Sequence, residues 1–233
     1  ATLTDSYVLP RHPLYAGDEL QHWSYDPARG RSMLQEAGWR DENGDGVLEA
    51  YDVPGIASGT SFSVTLLTTE DDAVRQRVAG ILKENLSECG VNLSVDFRAP
   101  DAFYADGPDG PVFGRQFDLA LFSWLNGFAP PCGLYLSSKI PTGENWWATS
   151  NIPGYASEAY DQACQSALDA VYGTPAYTQF HREAQVIFSR DLPVLPLYFV
   201  PSVIATRSGV EGVALDPSQQ TAFWNIESMD VAR

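Results

Sequence analysis

Residues 62–97 read FSVTLLTTEDDAVRQRVAGILKENLSECGVNLSVDF. Phe62, Val64 and Leu66 alternate with smaller polar residues as far as Thr68, the period-2 pattern of a strand with one face buried. Thr69-Glu70-Asp71-Asp72 then has the form of a capping box. After it, Val74, Val78, Ile81, Leu82, Leu86 and Cys89 return every three or four residues, which draws an apolar stripe along one helix. Gly90 stops that helix, and Val91, Leu93, Val95 and Phe97 alternate once more. Strand, helix and strand in so short a span make a βαβ unit, because the helix returns the chain to the starting edge of the sheet. The two strands must therefore be parallel, joined by a right-handed crossover. The fold class is α/β.

Upstream, residues 1–25 hold Pro10 and Pro13 with no periodic pattern and read as an extended connector. A helix opens at Asp26 (N-cap) and Pro27 (first turn), buries Met33, Leu34 and Ala37, and ends at Gly38. Residues 39–61 read as a long loop. Downstream of the βαβ unit, a turn-rich stretch leads to an apolar strand over 117–123, and an aromatic, Pro- and Gly-rich segment fills 124–155. Ser157 then caps a helix with the stripe Tyr160, Ala163, Cys164, Ala167, Leu168 and Val171. Thr174-Pro175 opens another, with Tyr177, Phe180, Ala184, Ile187 and Phe188 inward. Strands are expected over 195–200 and 203–206, followed by a loop-like tail. The whole reads as one α/β unit.

The 233 residues carry 30 Asp plus Glu against 14 Lys plus Arg, a formal charge of −16. Nucleic acid and anionic lipid surfaces need a basic footprint, so both are excluded as partners. No run of 18 apolar residues occurs, so direct membrane insertion is not expected, and the first residues show no basic-then-apolar leader. With 12% aromatic and 44% hydrophobic residues, the chain has apolar surface enough for a core without a disulfide or metal scaffold. Cys89, Cys132 and Cys164 contain no C-x-x-C pair, which removes zinc-ribbon and thioredoxin readings. Cys164 falls on a helix stripe and reads as a small buried hydrophobe. Cys132, in a loop, could pair with Cys89, and the sequence leaves that open.

Enzyme signatures are missing: there is no G-x-S-x-G, H-E-x-x-H, Walker A or G-x-G-x-x-G. His12, His22 and His181 lack metal-ligand spacing and read as solvated histidines. The segment Asp41 to Asp52 is sharper. Asp41, Asn43, Asp45, the Val47 carbonyl and Asp52 fall on positions 1, 3, 5, 7 and 12 of an EF-hand-type calcium loop, with Gly46 at position 6 and Glu49 at position 9. The metal-free alternative is an Asx- and Gly-rich surface turn, which these residues favour on their own. A calcium ion is thus an optional cofactor, and none is required.

The aromatic segment supplies the candidate ligand site. Ligands of open α/β sheets bind beyond the carboxyl ends of strands, which puts Trp124, Asn126 and Gly127 in place. Asn145, Trp146 and Trp147 add two indoles beside an amide. Aromatic faces with a nearby amide suit extended, partly apolar solutes such as peptides or sugars.

Five stretches in order resemble the family 5 extracellular solute-binding proteins, the peptide, nickel and oligosaccharide receptors of ABC importers. Tyr25-Asp26-Pro27 through Glu36-Ala37-Gly38-Trp39 is similar to that family's Y-D-P-x-x-A…L-L-x-E-A-G-W. Asp41-Glu42-Asn43-Gly44-Asp45-Gly46 resembles its D-x-x-G-D-G turn, and Phe117-Asp118-Leu119-Ala120 before Trp124 its F-D-x-x…W strand. Pro193-Val194-Leu195-Pro196-Leu197-Tyr198 and Trp224-Asn225-Ile226-Glu227 complete the set.

The resemblance implies a type II periplasmic-binding-protein-like lobe, with a mixed, mostly parallel sheet flanked by helices. Residues 26–233 would form the C-terminal lobe and 1–25 the connector, with the N-terminal lobe of the same polypeptide absent. It implies a non-enzymatic, extracytoplasmic receptor, lipid-anchored through the missing part, that delivers a peptide or other small solute to ABC permease subunits. In oligopeptide-binding members an aspartate three residues after the strand tryptophan holds the peptide α-amino group. Gly127 stands there, with Asn126 adjacent, and an amide cannot offset a buried ammonium charge. Two readings from other classes stand beside this one: a carbohydrate-active enzyme with a carboxylate pair near the tryptophans, and a calcium-stabilised adhesion module.

Overall fold

The structure is a computed structural model that describes residues 2–125, 127–216, 219, 221 and 223–231. In chain order its strands are β1 (Thr2–Leu3), β2 (Trp39–Arg40), β3 (Glu49–Ala50), β4 (Ser63–Thr69), β5 (Asn92–Arg98), β6 (Leu119–Ala120), β7 (Tyr198–Phe199), β8 (Val210–Glu211) and β9 (Asp230–Val231). Its α-helices are α1 (Pro27–Glu36), α2 (Ala73–Glu88), α3 (Pro100–Phe103), α4 (Glu158–Asp169) and α5 (Pro175–Asp191). The single α/β body expected from the sequence is corrected. The chain forms two compact units, the first of Ala1–Trp23, Trp124–Lys139 and Tyr155–Arg233, the second of Ser24–Ser123 and Ile140–Gly154. Each buries an apolar cluster of its own, and each is assembled from segments that are not contiguous in sequence.

The second unit contains the βαβ element. β4 and β5 pair in parallel from Ser63↔Asn92 to Thr69↔Arg98, and β6 joins the other edge of β4 in parallel at Leu66↔Leu119. As the central strand of three, β4 buries Leu66, Leu67, Thr68 and Thr69 in succession, as a strand covered on both faces does. Leu66, Ala79 and Leu93 form the cluster beneath α2, flanked by Leu82, Leu86 and Val95. The α2 cap is Asp72, whose Oδ1 accepts the Val74 and Arg75 N–H groups at 2.8 and 3.1 Å. The strand expected over 117–123 shrinks to Leu119–Ala120, although the Leu121 N–H still reaches the Leu67 carbonyl at 2.8 Å.

Within the stretch read as a long loop, β2 and β3 form an antiparallel hairpin (Trp39↔Ala50, Arg40↔Glu49). It buries Leu48 and stacks Trp39 on Phe62 at 4.2 Å. Gly90, at φ +89°, lets this hairpin close down. A Cβ there would stand 2.6 Å from Leu48 Cγ.

In the first unit, residues 1–23 are more than a connector. β1 pairs antiparallel with β7 (Thr2↔Phe199, Leu3↔Tyr198), and Tyr7, Val8, Leu14, Ala16 and Leu20 are buried. Gln185 of α5 pins this leader. Its Nε2 donates to the Leu14 carbonyl at 2.8 Å, and its Oε1 accepts from Ser6 Oγ and the Ala16 N–H, both at 3.3 Å. α4 and α5 start where the sequence places them. The Ser157 side chain accepts the Tyr160 N–H, and the Thr174 side chain accepts the Tyr177 N–H.

Between the two helices and the leader lies an aromatic core of Tyr7, Tyr135, Tyr160 and Phe188. Tyr160 donates to the Cys132 carbonyl at 2.9 Å, and burial pushes the Tyr135 hydroxyl up to about 12 and that of Tyr160 higher still. Cys132 and Cys164 are joined as a disulfide inside this core, and Cys89 is free. Cys164 is buried as its place on the helix stripe implies, and the pairing the sequence left open falls between Cys132 and Cys164, since α4 carries Cys164 directly under the Cys132 loop. No strand forms over 203–206, whereas β8 and β9 make an unexpected antiparallel pair (Val210↔Val231) near the end of the chain.

Candidate functional site

The parallel sheet of the second unit delivers the chain from Leu121, through Phe122 and Ser123, beyond the carboxyl end of its strands. Trp124 follows as the first residue of the next segment, half-buried, with Leu125 90% exposed and Gly127 exposed. Open space surrounds the Gly127 Cα, so nothing local demands a glycine there. Asn126 lies outside the described residues.

The second unit holds Asn145, Trp146 and Trp147. Asn145 is spent on its own loop: Oδ1 accepts the Thr142 N–H at 2.8 Å and Nδ2 donates to the Ile140 carbonyl at 2.7 Å. The Trp147 N–H returns to the Thr142 carbonyl at 3.0 Å. Trp146 and Trp147 both adopt left-handed backbone, at φ +57° and +58°, a conformation that costs a bulky residue ~1–3 kcal/mol. Trp147 packs on the Gly107 backbone, where a Cβ would stand 2.7 Å from Trp147 Cγ, and Trp146 is turned out with 86% of its surface exposed. The structure therefore sorts the three: Asn145 builds the loop, Trp147 anchors it and Trp146 is displayed. The sequence reading missed Gly107. Its only trace is a glycine in the turn-rich stretch Asp106–Pro111.

The Asp41–Asp52 segment does not fit the calcium ion drawn from its spacing. Asp41 Oδ1 and Oδ2 accept the Gly44 and Gly46 N–H groups, Asn43 Oδ1 that of Asp45, and Asp45 Oδ1 that of Val47, all between 2.8 and 3.1 Å. These are Asx turns, a chemistry that metal-free and metal-binding loops share. The charge the loop attracts comes from α1: Arg31 Nη2 lies 3.0 Å from Asp41 Oδ2, and Nη1 donates to the Gly46 carbonyl at 3.4 Å.

Asp52 is removed from the loop by the hairpin. Its N–H, with that of Tyr51, donates to the Gly38 carbonyl. That places it past the end of the two-residue ladder that lies away from the loop. Glu49 closes the loop instead, taking the Glu42 N–H at 3.0 Å and Asn43 Nδ2 at 2.7 Å. Among the described residues, no group of three or more His, Cys, Asp or Glu is placed to hold a metal ion.

A family model described as "Bacterial extracellular solute-binding proteins, family 5 Middle" matches residues 1–146, more than half of the chain. This chain belongs to family 5 of the bacterial extracellular solute-binding proteins. Within family 5, the oligopeptide-binding protein AppA of Bacillus subtilis is 26% identical over 97% of this chain and 39% of its own length. The glutathione-binding protein GsiB of Salmonella typhimurium is 24% identical over 93% of this chain and 38% of its own. The chain thus spans about two fifths of the length of the curated relatives it matches. The solved structure of AppA in complex with a nonapeptide superposes with a TM-score of 0.77, at 22% identity, over 99% of this chain and 42% of that one. At that identity the likeness shows the fold, which is of the type II periplasmic-binding-protein class. The family 5 relatives are binding proteins, and no helix among the described residues is long and apolar enough to cross a membrane.

Proposed function

We propose that this chain is the C-terminal part of the substrate-binding component of an ABC importer. It captures a peptide-like or other extended solute against a further lobe of the same polypeptide and hands it to permease subunits. Family membership carries the reading, supported by relatives whose names specify oligopeptide and glutathione binding. The protein works outside the cytoplasm, held there by a lipid anchor in the missing part. The buried Cys132–Cys164 disulfide supports that location, because such bonds persist in oxidising compartments.

The work done on the solute is binding alone. In the first unit Trp124 offers an indole face that excludes water from the solute's apolar portions, while loop amides around Gly127 orient it; in the second unit the exposed Trp146 is a separate candidate contact. No fixed carboxylate is expected at Gly127, so the solute's amino group need not be paired there, and N-blocked peptides should bind as well as free ones. Peptides bound between lobes are released by hinge opening.

The test is thermal shift of the polypeptide extended to the length of its relatives, against pools of free and N-acetylated peptides. Stabilisation by both pools supports the proposal. Catalytic turnover of any pool member, or no stabilisation by peptides at all, refutes it.

A further inference from the structure

Two histidines of the first unit, His181 buried and His12 half-buried, have ring nitrogens shut away from solvent without a partner. His181, on α5, is 2% exposed, and its Nδ1 has no hydrogen-bond partner. His12, in the leader, accepts the Leu14 N–H on Nδ1 at 3.1 Å, which assigns the proton of its neutral ring to Nε2. That Nε2 is buried and also unpartnered. Buried polar atoms of this kind are rare in folded proteins and call for a reason. Aromatic rings cover both sites: Tyr177 stands edge-on to His181 with centroids 4.4 Å apart, and Phe128 lies 4.8 Å from His12.

The ionisable neighbours are accounted for element by element. On α5 they are Tyr177 and Arg182, the latter facing Glu19 of the leader at 3.7 Å. In the leader, Arg11 is exposed, and Asp5 already holds His22 and the Tyr15 hydroxyl. The segment 124–139, which brings Phe128, carries only Tyr135 and Lys139 besides its disulfide cysteine. From α4, Asp161 is bonded to Ser137. Among the described residues neither His12 nor His181 has a carboxylate within ion-pair distance. A proton added to either ring therefore meets no carboxylate, and protons on both would repel.

We propose that His12 and His181 form a proton-sensitive latch. Neutral, they let the leader and the Trp124–Lys139 segment close on α5; protonated in mildly acid solution, they release that segment. Burial, and for His181 also the charge of His12, lowers both imidazoles below the usual value near 6.5, outweighing the nearby Phe128 backbone, which favours the charged His12. With folded pKa values depressed, the unfolded or opened chain binds more protons, so stability is held at neutral pH and lost as pH falls below ~6.5. The consequence for solute affinity, through Trp124 and Gly127 on the same segment, rests on the proposed function. The latch does not.

Amide hydrogen exchange on the full chain at pH 7.5 and 5.5, corrected for intrinsic rates, tests it. Opening of residues 127–136 should rise at least fivefold at pH 5.5 relative to α2, which serves as internal reference. In His12→Asn, which keeps an acceptor for the Leu14 N–H, and in His181→Gln, the rise should fall by more than half. If His181→Gln fails to fold, His12→Asn alone decides. An acid response that is absent in the wild type, or unchanged in His12→Asn, overturns the latch. Loss of solute binding at pH 7.5 would count against the proposed function only, because the latch is read from exchange.

Discussion

Removing the Cys132–Cys164 bond should destabilise the first unit by a predictable amount. The two cysteines are separated by 32 residues, and their sulfurs sit in the aromatic core with both residues fully buried. In the chain-entropy model the closed loop removes about 2.1 + 1.5R ln(32), or ~12.4 cal/mol/K, from the unfolded ensemble, which is ~3.7 kcal/mol at 25 °C. Reduction without mutation should cost that much. The Cys132→Ala/Cys164→Ala variant should lose roughly 1.6 kcal/mol more, because two buried groups each about the size of a methylene disappear. At roughly 2–4 °C per kcal/mol for a chain of this size, reduction should lower the melting temperature of the first unit by about 7–15 °C.

The assay is near-ultraviolet circular dichroism of the Tyr-rich core against temperature, oxidised and reduced, with mass spectrometry reporting the thiol state. The second unit contains neither cysteine and provides the control, so its transition should not move. A reduced chain that melts within 2 °C of the oxidised one would refute the reasoning, as would an equal shift of both units.

Three further outcomes follow from the geometry. Gly90→Ala forces a Cβ into Leu48 at positive φ and should cost the second unit about 2 kcal/mol in urea unfolding, whereas Gly143→Ala, with open space around it, should be near neutral. Arg31→Gln should cost about 0.5–1 kcal/mol, since the pair is partly solvated, and calorimetric titration of the wild type with calcium should give no heat. Trp146→Ala should leave stability within about 0.5 kcal/mol because its indole is exposed. In the extended polypeptide the same change should weaken peptide binding at least tenfold, and unchanged binding would remove Trp146 from the site.

The elements legible in the sequence were those whose signals are local. Asp26-Pro27, Ser157 and Thr174-Pro175 mark helix starts because capping uses residues within one turn, and the structure places all three as read. The 62–97 segment was readable because both its periods are intact over enough residues to exclude alternatives. What was missed depends on distant partners. Tyr7, Val8 and Leu14 look like connector residues until α5 is present to receive them. Two-residue strands such as β2 and β3 carry too little pattern to register. Cys132 and Cys164 meet because α4 packs beneath a loop, which spacing alone does not reveal.

The candidate site was legible only in part, for the same reason. The indoles stood out by composition, but the local contacts of Asn145 and Trp147 with Thr142, Ile140 and Gly107 did not. The calcium-like spacing of Asp41, Asn43 and Asp45 describes a turn chemistry that metal loops and metal-free loops share. The distinguishing residues, Arg31 and Asp52, are positioned by α1 and by the hairpin register.

The central claim is that this chain binds a solute as part of a larger receptor. The most direct measurement is native mass spectrometry of the polypeptide extended to the length of its relatives, incubated with a peptide pool, with Trp124→Ala alongside. The account predicts a one-to-one complex with intact peptide, lost in Trp124→Ala while the fold is retained. A protein that stays peptide-free across the pool, or that returns the peptides cleaved, would contradict it.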